Sequence, residues 1–424
     1  MRTPSIHKVI GLIPAALIGA WLAIPATVSA NVITDWDAKA IDAVAPLASA
    51  PASPYTPYAA YRMMGIVHAA MFDTVNSIER RYQPYLVQLP ADSTTSKEAA
   101  AAAAAAAVLA TIDAKTAAQM KRELVSYLAS MPDGMAKSEG IKLGETVAAK
   151  IWEARANDGA EGPDDYRPRT TPGVYVPTPI MRGPMWPKVK PFAMVSPSQF
   201  RPGPPVALDS VEWAKDFNEI KDYGAQKSAK RTAEQTETAR FWLVAGPVAY
   251  HPFLRQLAIA KEMDVVDSAR FMALGGIALN DALVAVLDAK YHYNFWRPVT
   301  AIRNADIDGN PATDIDSTWQ PIAETPMHPE YPCAHCILSG SVAGVVKATL
   351  GTGDIPEIAM TSPTASGVTH RWDNVMAFAG EVANARIWSG FHYRSSTRVG
   401  TSMGLQIGEY VVMHVMQPVM TSSR

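Results

Sequence analysis

The chain has 424 residues, 48% of them hydrophobic and 18% charged, with 33 prolines and a formal net charge of −2. That length buries a core without staples, and the composition excludes a disordered or collagen-like chain. The near-neutral balance argues against nucleic acid and against an anionic membrane surface as general partners.

The first thirty residues read as a signal peptide. Arg2 and Lys8 give a positive start, an apolar run follows from Val9 to Ala26, and Val28-Ser29-Ala30 offers small residues for cleavage. Removing residues 1–30 takes Arg2 and Lys8 with it and moves the formal charge to −4. The expected location is therefore periplasmic or secreted. No later segment is expected to span a bilayer, so no stable membrane span remains after signal cleavage.

Helical spacing then predicts a short helix over 36–44, a proline- and alanine-rich turn over 46–57, and helices over 59–78, 97–128 and 137–157. The 97–128 stretch is rich in alanine, which favours helix by itself. From 159 to 205 the prolines concentrate, with Trp186, Phe192 and Phe200 among them. A connection of that length is expected to wrap a surface or shape a pocket. Helices are predicted again over 209–222, 231–244, 251–261, 264–291, 337–350, 372–389 and 398–416. The two-residue alternation of strands is nearly absent, so the fold class is all-α, one or two helical bundles with the site in the C-terminal one. No internal period points to repeats. The expected organisation is a signal at 1–30, an N-terminal helical region with its proline-rich connection at 31–205, and a C-terminal helical domain at 206–424.

Three segments carry chemistry. Lys290 and Arg297 are seven apart, close to two helical turns, which places both on one helix face about 10 Å apart along its axis, with Pro298 expected to end the helix. Two cations without an adjacent acid suit a phosphate-like oxyanion. The second segment, His328-Pro-Glu-Tyr-Pro-Cys-Ala-His335, approaches the start of a helix, where backbone N–H groups and the helix dipole favour an anion. His335 is placed there to exchange a proton with a bound oxygen. The third is Arg386-Ile-Trp-Ser-Gly390-Phe-His392, in which a break at Gly390 would turn a second Arg and a second His toward one site.

The order Lys-x6-Arg-Pro, Pro-Cys-Ala-His and Ala-Arg-x3-Gly-x-His resembles the type 2 phosphatidic acid phosphatase and vanadium haloperoxidase superfamily. Phe295-Trp296 before Arg297-Pro298 resembles the haloperoxidase branch, and Met64-Gly-Ile-Val-His-Ala-Ala-Met-Phe-Asp73 resembles its bacterial members. The tight likeness covers roughly 290–400. It implies that Lys290, Arg297 and Arg386 bind the equatorial oxygens of vanadate or phosphate, helped by Cys333 in place of the family's Ser and by the backbone N–H of Ala334. His392 is implied as the axial nitrogen, a ligand to vanadium in a peroxidase and a nucleophile in a phosphatase. His335 is implied as the acid–base opposite it, and His328 as the halide-side residue. The peroxidase reading uses vanadate, hydrogen peroxide and a halide, with Lys290 polarising peroxide. The phosphatase reading uses a phosphate ester and no metal. Both fit one pocket because five-coordinate vanadate resembles the transition state of phosphoryl transfer.

The chain departs from the family at two places. Pro-Ser-Gly-His is here Pro332-Cys333-Ala334-His335, and S–H is a poor donor that a Cys333–Cys336 disulfide would remove. The family's Asp four residues beyond the last His is Ser396, which leaves the partner of His392 undefined. A thioredoxin-like or zinc reading of Cys333-Ala-His-Cys336 lacks both a βαβ setting and a second ligand pair. The expectation is a haloperoxidase, with an acid phosphatase as the alternative. A third reading is an exported oxyanion-binding protein that has lost turnover.

Overall fold

The computed structural model describes residues 30–49, 57–163, 165–177 and 181–419. Apart from Ala30, the expected signal peptide lies outside them. In chain order the helices of the first half are α1 (Val32–Ser49), α2 (Pro57–Glu79), α3 (Lys97–Leu109), α4 (Ala114–Leu128) and α5 (Met135–Arg155). The second half holds α6 (Val211–Tyr223), α7 (Ala233–Phe241), α8 (His251–Ala260), α9 (Val265–Tyr293), α10 (Pro298–Arg303), α11 (Ala334–Leu350), α12 (Val375–Trp388) and α13 (Arg394–His414). Between α11 and α12 lies an antiparallel hairpin, β1 (Asp354–Ser362) with β2 (Ala365–Asn374). The molecule is mostly helical as expected, and the hairpin is an addition to it. Irregular register, between Asp354 and Ile358 and again at Ser362, breaks the alternation that would have marked these strands.

The predicted single helix over 97–128 is two. Asp113 leaves helical geometry, and its side chain accepts the Thr116 N–H at 2.7 Å, so it caps α4 and cannot continue α3. The alanines of α3 are also more than helix formers. Ala99 to Ala105 are fully buried, and a Cβ added at Gly144 of α5 would come within 2.2 Å of the Ala100 carbonyl. Small residues there let two backbones meet.

Helix α9 runs through the middle of the core. Its 29 residues include an apolar window long enough to cross a membrane, contrary to the expectation that no later segment would qualify. That window is wholly buried inside the protein, packed on α2, α11 and α13. Asp281 on α9 fastens the proline-rich connection, accepting N–H bonds from Phe192, Ala193 and Met194 at 2.7, 2.8 and 2.9 Å. Seven residues on, Asp288 takes Arg201 through two bonds of 2.7 and 2.8 Å. The connection therefore lies along α9.

Helices α11 and α13 form the closest pair. A Cβ at Gly404 would meet the Ile337 carbonyl at 2.1 Å, and one at Gly408 would meet the Ser341 carbonyl at 2.3 Å. An extra methyl must push the helices apart, at a cost of about 1–3 kcal/mol. His335 stands in the first turn of α11, and His392 lies two residues before α13.

Candidate functional site

The local chain path explains how distant side chains converge. Lys290 lies in the last turn of α9, but Arg297 does not share that helix. Asn294 caps α9 in the left-handed region (φ 53°, ψ 38°), a conformation Asn tolerates, and Arg297 becomes the N-cap of α10. Pro298, expected to end a helix, instead starts one, because a first-turn residue needs no N–H. The turn at Asn294, not a shared face, brings the two cations together. In the third segment α12 ends at Trp388, and Gly390 (φ 79°) reverses the chain so that His392 returns toward Arg386.

His328, Ala334, His335, Arg386 and His392 line one cavity of ≈ 520 Å³. Arg297 sits directly behind it. Its Nη1 is 3.3 Å from His392 Nε2, its Nη2 is 3.0 Å from His328 Nδ1, and its Nε donates to the His328 carbonyl at 2.9 Å. Lys290 is deeper still, donating to the carbonyls of Pro329 (2.9 Å) and Glu330 (2.6 Å). Arg386 donates to the Trp242 carbonyl at 2.6 Å and lies over the Phe391 ring, while its Nε has no partner.

One residue of this cluster was not singled out in the sequence. Glu330 is fully buried, and its Oε1 accepts from His392 Nδ1 at 2.8 Å and from the Tyr393 N–H at 3.1 Å. It supplies the orienting carboxylate that Ser396 does not. Ser396 lies close enough to lower the carboxyl's pKa, yet neither its Oγ nor Glu330 Oε2 has a hydrogen bond of ordinary geometry. A Glu between two prolines was the available signal, but its partner is 62 residues away.

The charges are unbalanced. Three buried cations, Lys290, Arg297 and Arg386, share one buried carboxylate. Burial pushes the Glu330 carboxyl up to about 7, against the pull of Lys290 and Arg297. Burial also lowers the Lys290 ammonium well below its ordinary value and brings the Arg386 guanidinium down to about 9. His328, His335 and His392 are all held neutral, first by burial and then by the neighbouring cations.

Neutral imidazoles have one N–H each, so their partners assign the tautomers. Glu330 fixes the His392 proton on Nδ1 and leaves Nε2 as an acceptor facing Arg297 Nη1. His335 gives its Nε2 proton to the Val244 carbonyl at 2.9 Å, which leaves Nδ1 as acceptor. His328 Nδ1 faces both Arg297 Nη2 and the Pro329 carbonyl, at 3.1 Å. Donation from the permanently charged guanidinium makes Nδ1 the acceptor and puts the proton on Nε2.

Cys333 and Cys336 are disulfide-bonded. Cys333 caps α11, its sulfur facing the Cys336 N–H at 3.2 Å, and it has no thiol proton to offer an anion. Only its neighbour Ala334 reaches the cavity lining.

A second buried cluster was also not foreseen. Asp37, His68 and His251 on α1, α2 and α8 offer metal-ligand atoms within 4.8 Å of one another. Asp37 Oδ1 accepts from His68 Nε2 at 2.9 Å and His251 Nδ1 at 2.8 Å, and Oδ2 accepts from Arg255 at 2.8 Å. A cation there would leave the outer N–H groups of both imidazoles buried without acceptors, since His68 Nδ1 and His251 Nε2 have no partners. The hydrogen-bonded arrangement is the cheaper state.

Residues 270–421 match the family model described as the VCPO second helical-bundle domain. Vanadium chloroperoxidase of Curvularia inaequalis is 30% identical over 152 residues, which cover 29% of this chain and 24% of that protein. The match thus spans about a quarter of that relative's length. A bacterial vanadium-dependent iodoperoxidase structure superposes with a TM-score of 0.76 at 23% identity, covering 91% of this chain and 97% of the other. A holo-type bacterial vanadium-dependent chloroperoxidase gives 0.71 at 19% identity, covering 90% and 97%. Residues 270–421 are thus similar to the VCPO second helical-bundle domain, in a chain that shares the fold of bacterial vanadium-dependent haloperoxidases.

Proposed function

We propose that this chain is a vanadium-dependent haloperoxidase that oxidises a halide with hydrogen peroxide at vanadate held on His392. The observation that carries the reading is the excess of buried positive charge around His392 Nε2, an acceptor that Arg297 Nη1 faces at 3.3 Å. The partnerless Arg386 Nε in the cavity wall fits an oxyanion, whose oxygens accept what no protein group does. Arg297, Arg386 and Lys290 would hold the oxygens of vanadate, the Ala334 backbone at the start of α11 would add an N–H, and His392 Nε2 would bond the metal. Bound vanadate supplies activation of hydrogen peroxide for the two-electron oxidation of a halide.

The chain's own groups set up that chemistry. Glu330 keeps the His392 lone pair directed away from itself and makes the ring more basic. His335 Nδ1 is the proton acceptor on the cavity wall. The His328 Nε2–H is a donor suited to a halide. The apolar walls limit water and strengthen each of these contacts. Export to the periplasm or medium is supported by the charged start and apolar run of residues 1–30 and by the Cys333–Cys336 disulfide. We also propose the division at 205/206, since the helices that carry the cationic cluster all follow it.

The test uses purified protein with hydrogen peroxide, bromide and a phenolic dye, with and without added vanadate, and separately a generic phosphomonoester. Bromination that depends on vanadate is the expected result. Phosphate release without bromination replaces the reading with an acid phosphatase, and oxyanion binding with neither activity replaces it with a binding protein.

A further inference from the structure

The N-terminal region also supplies part of the cavity wall. Tyr58, in the first turn of α2, lines the same cavity as His328 and is only 8% exposed. Three tyrosines reach this cavity, and two of their hydroxyls are committed to backbone. Tyr61 donates to the Gly246 carbonyl at 2.6 Å, and Tyr250 donates to the His335 carbonyl at 3.1 Å. The Tyr58 hydroxyl has no hydrogen-bond partner among the described residues. A buried O–H that nothing accepts costs free energy until a ligand supplies the acceptor.

Two neighbours hold the Tyr58 ring in place. The Trp186 ring is 5.8 Å away, and a Cβ added at Gly183 would come within 2.8 Å of Tyr58 Cε2. Gly183 also lies in the left-handed region (φ 68°), so conformation and space both require glycine where the chain crosses the ring. The residue before it, Arg182, donates its backbone N–H to the Met327 carbonyl at 2.9 Å. The 182–183 step therefore joins the Tyr58 ring to the segment that carries His328. Arg182 itself lines the cavity and adds a cation on that side. Burial raises the Tyr58 phenol well above its ordinary value, against the pull of Arg297 and Arg182, so its oxygen keeps the proton. The wall thus presents a donor in a positive field. A halide accepts and carries negative charge, which suits both, whereas neutral hydrogen peroxide gains less from the field.

We infer that Tyr58 is a specificity-determining residue of the halide side, its hydroxyl donating to the same halide that the His328 Nε2–H meets. The inference rests on the haloperoxidase reading of the site. It makes the N-terminal region a contributor to the reaction, since the cationic floor and all three histidines come from the later helices and their connections. Gly183 then acts through Tyr58, by leaving the ring the space it occupies.

Tyr58→Phe removes the hydroxyl and keeps the ring that Gly183 and Trp186 hold. In the vanadate-loaded full chain the KM for bromide is expected to rise about tenfold, with the KM for peroxide and the vanadate affinity unchanged. A fall in vanadate affinity with an unchanged bromide KM would make the hydroxyl an oxyanion donor and overturns the inference. An equal rise in Tyr61→Phe, whose hydroxyl is already turned to backbone, overturns it too. Bromide binding is read apart from turnover, as the bromide NMR line width over the vanadate-free full chain with its cationic floor saturated by orthophosphate. Broadening that falls severalfold in Tyr58→Phe supports the assignment even in a chain that makes no triiodide from iodide and peroxide, and then the peroxidase reading alone falls. Triiodide formation with the same bromide KM and the same broadening in both proteins overturns the Tyr58 assignment alone.

Discussion

At the junction of α1, α2 and α8, Asp37 accepts from His68, His251 and Arg255, so one carboxylate faces one guanidinium and two imidazoles. At the junction of α9, α11 and α12, one carboxylate, Glu330, faces three cations and three neutral imidazoles beside a cavity. The residue types are nearly the same. In the first cluster one guanidinium matches the one carboxylate. The second lacks negative charge and keeps room for it. Counting charges, not histidines, separates a structural knot from a ligand site.

The sharpest break of this contrast is His392→Ala. Loss of the only imidazole turned toward the floor by Glu330 is expected to take vanadate-dependent halide oxidation below detection. Full activity in that variant would refute the mechanism.

Asp37→Ala comes next and acts on stability. It strands Arg255 and two buried imidazoles and is expected to cost about 3–5 kcal/mol in urea unfolding. Arg386→Met, which removes a surplus cation, is expected to change the stability of the anion-free chain by no more than about 1 kcal/mol while abolishing the rise in Tm on adding vanadate. Equal losses in the two variants would erase the distinction. The pair also differs in pH response. Burial pushes the Asp37 carboxyl up, but the bonds and charges of His251 and His68 outweigh it and hold it well below its ordinary value of 3.8. A depressed carboxyl contributes stability that is present above the unfolded value and lost as pH falls toward the folded one. The acid-side loss below about pH 4 should therefore be smaller in Asp37→Ala than in the parent chain and unchanged in Arg386→Met.

Glu330→Gln keeps size and shape, so it isolates the one negative charge of the cationic cluster. Vanadate affinity, read from titrated recovery of activity, is expected to fall about 10- to 100-fold. His328→Ala has the smallest effect. It removes one donor on the halide side and should shift the bromide-to-iodide preference a few-fold, about 1 kcal/mol, with iodide turnover retained.

The parts legible in the sequence were those that act at short range. Lys290 and Arg297, Pro332 to His335, and Arg386 to His392 are each compact enough for spacing to carry meaning, and helical periodicity marked the elements that bear them. What escaped depends on partners far along the chain. Glu330 gains its role from His392, and Asp37 from His251, 214 residues away. Asn294 escaped for a different reason, since residue type alone permits a left-handed φ without requiring it. Asp113, which caps α4, interrupts a stretch whose alanines favour one continuous helix.

The seam between α11 and α13 has a further consequence. Because Gly404 and Gly408 set main chain against main chain, the separation of these two rods is fixed by peptide atoms, which cannot rotate aside as long side chains do. His335 and His392 are mounted near the ends of those rods, so their spacing is settled before any anion arrives. A chain stripped of its oxyanion should accordingly regain function on simple addition of the salt, with no need to be unfolded and folded again.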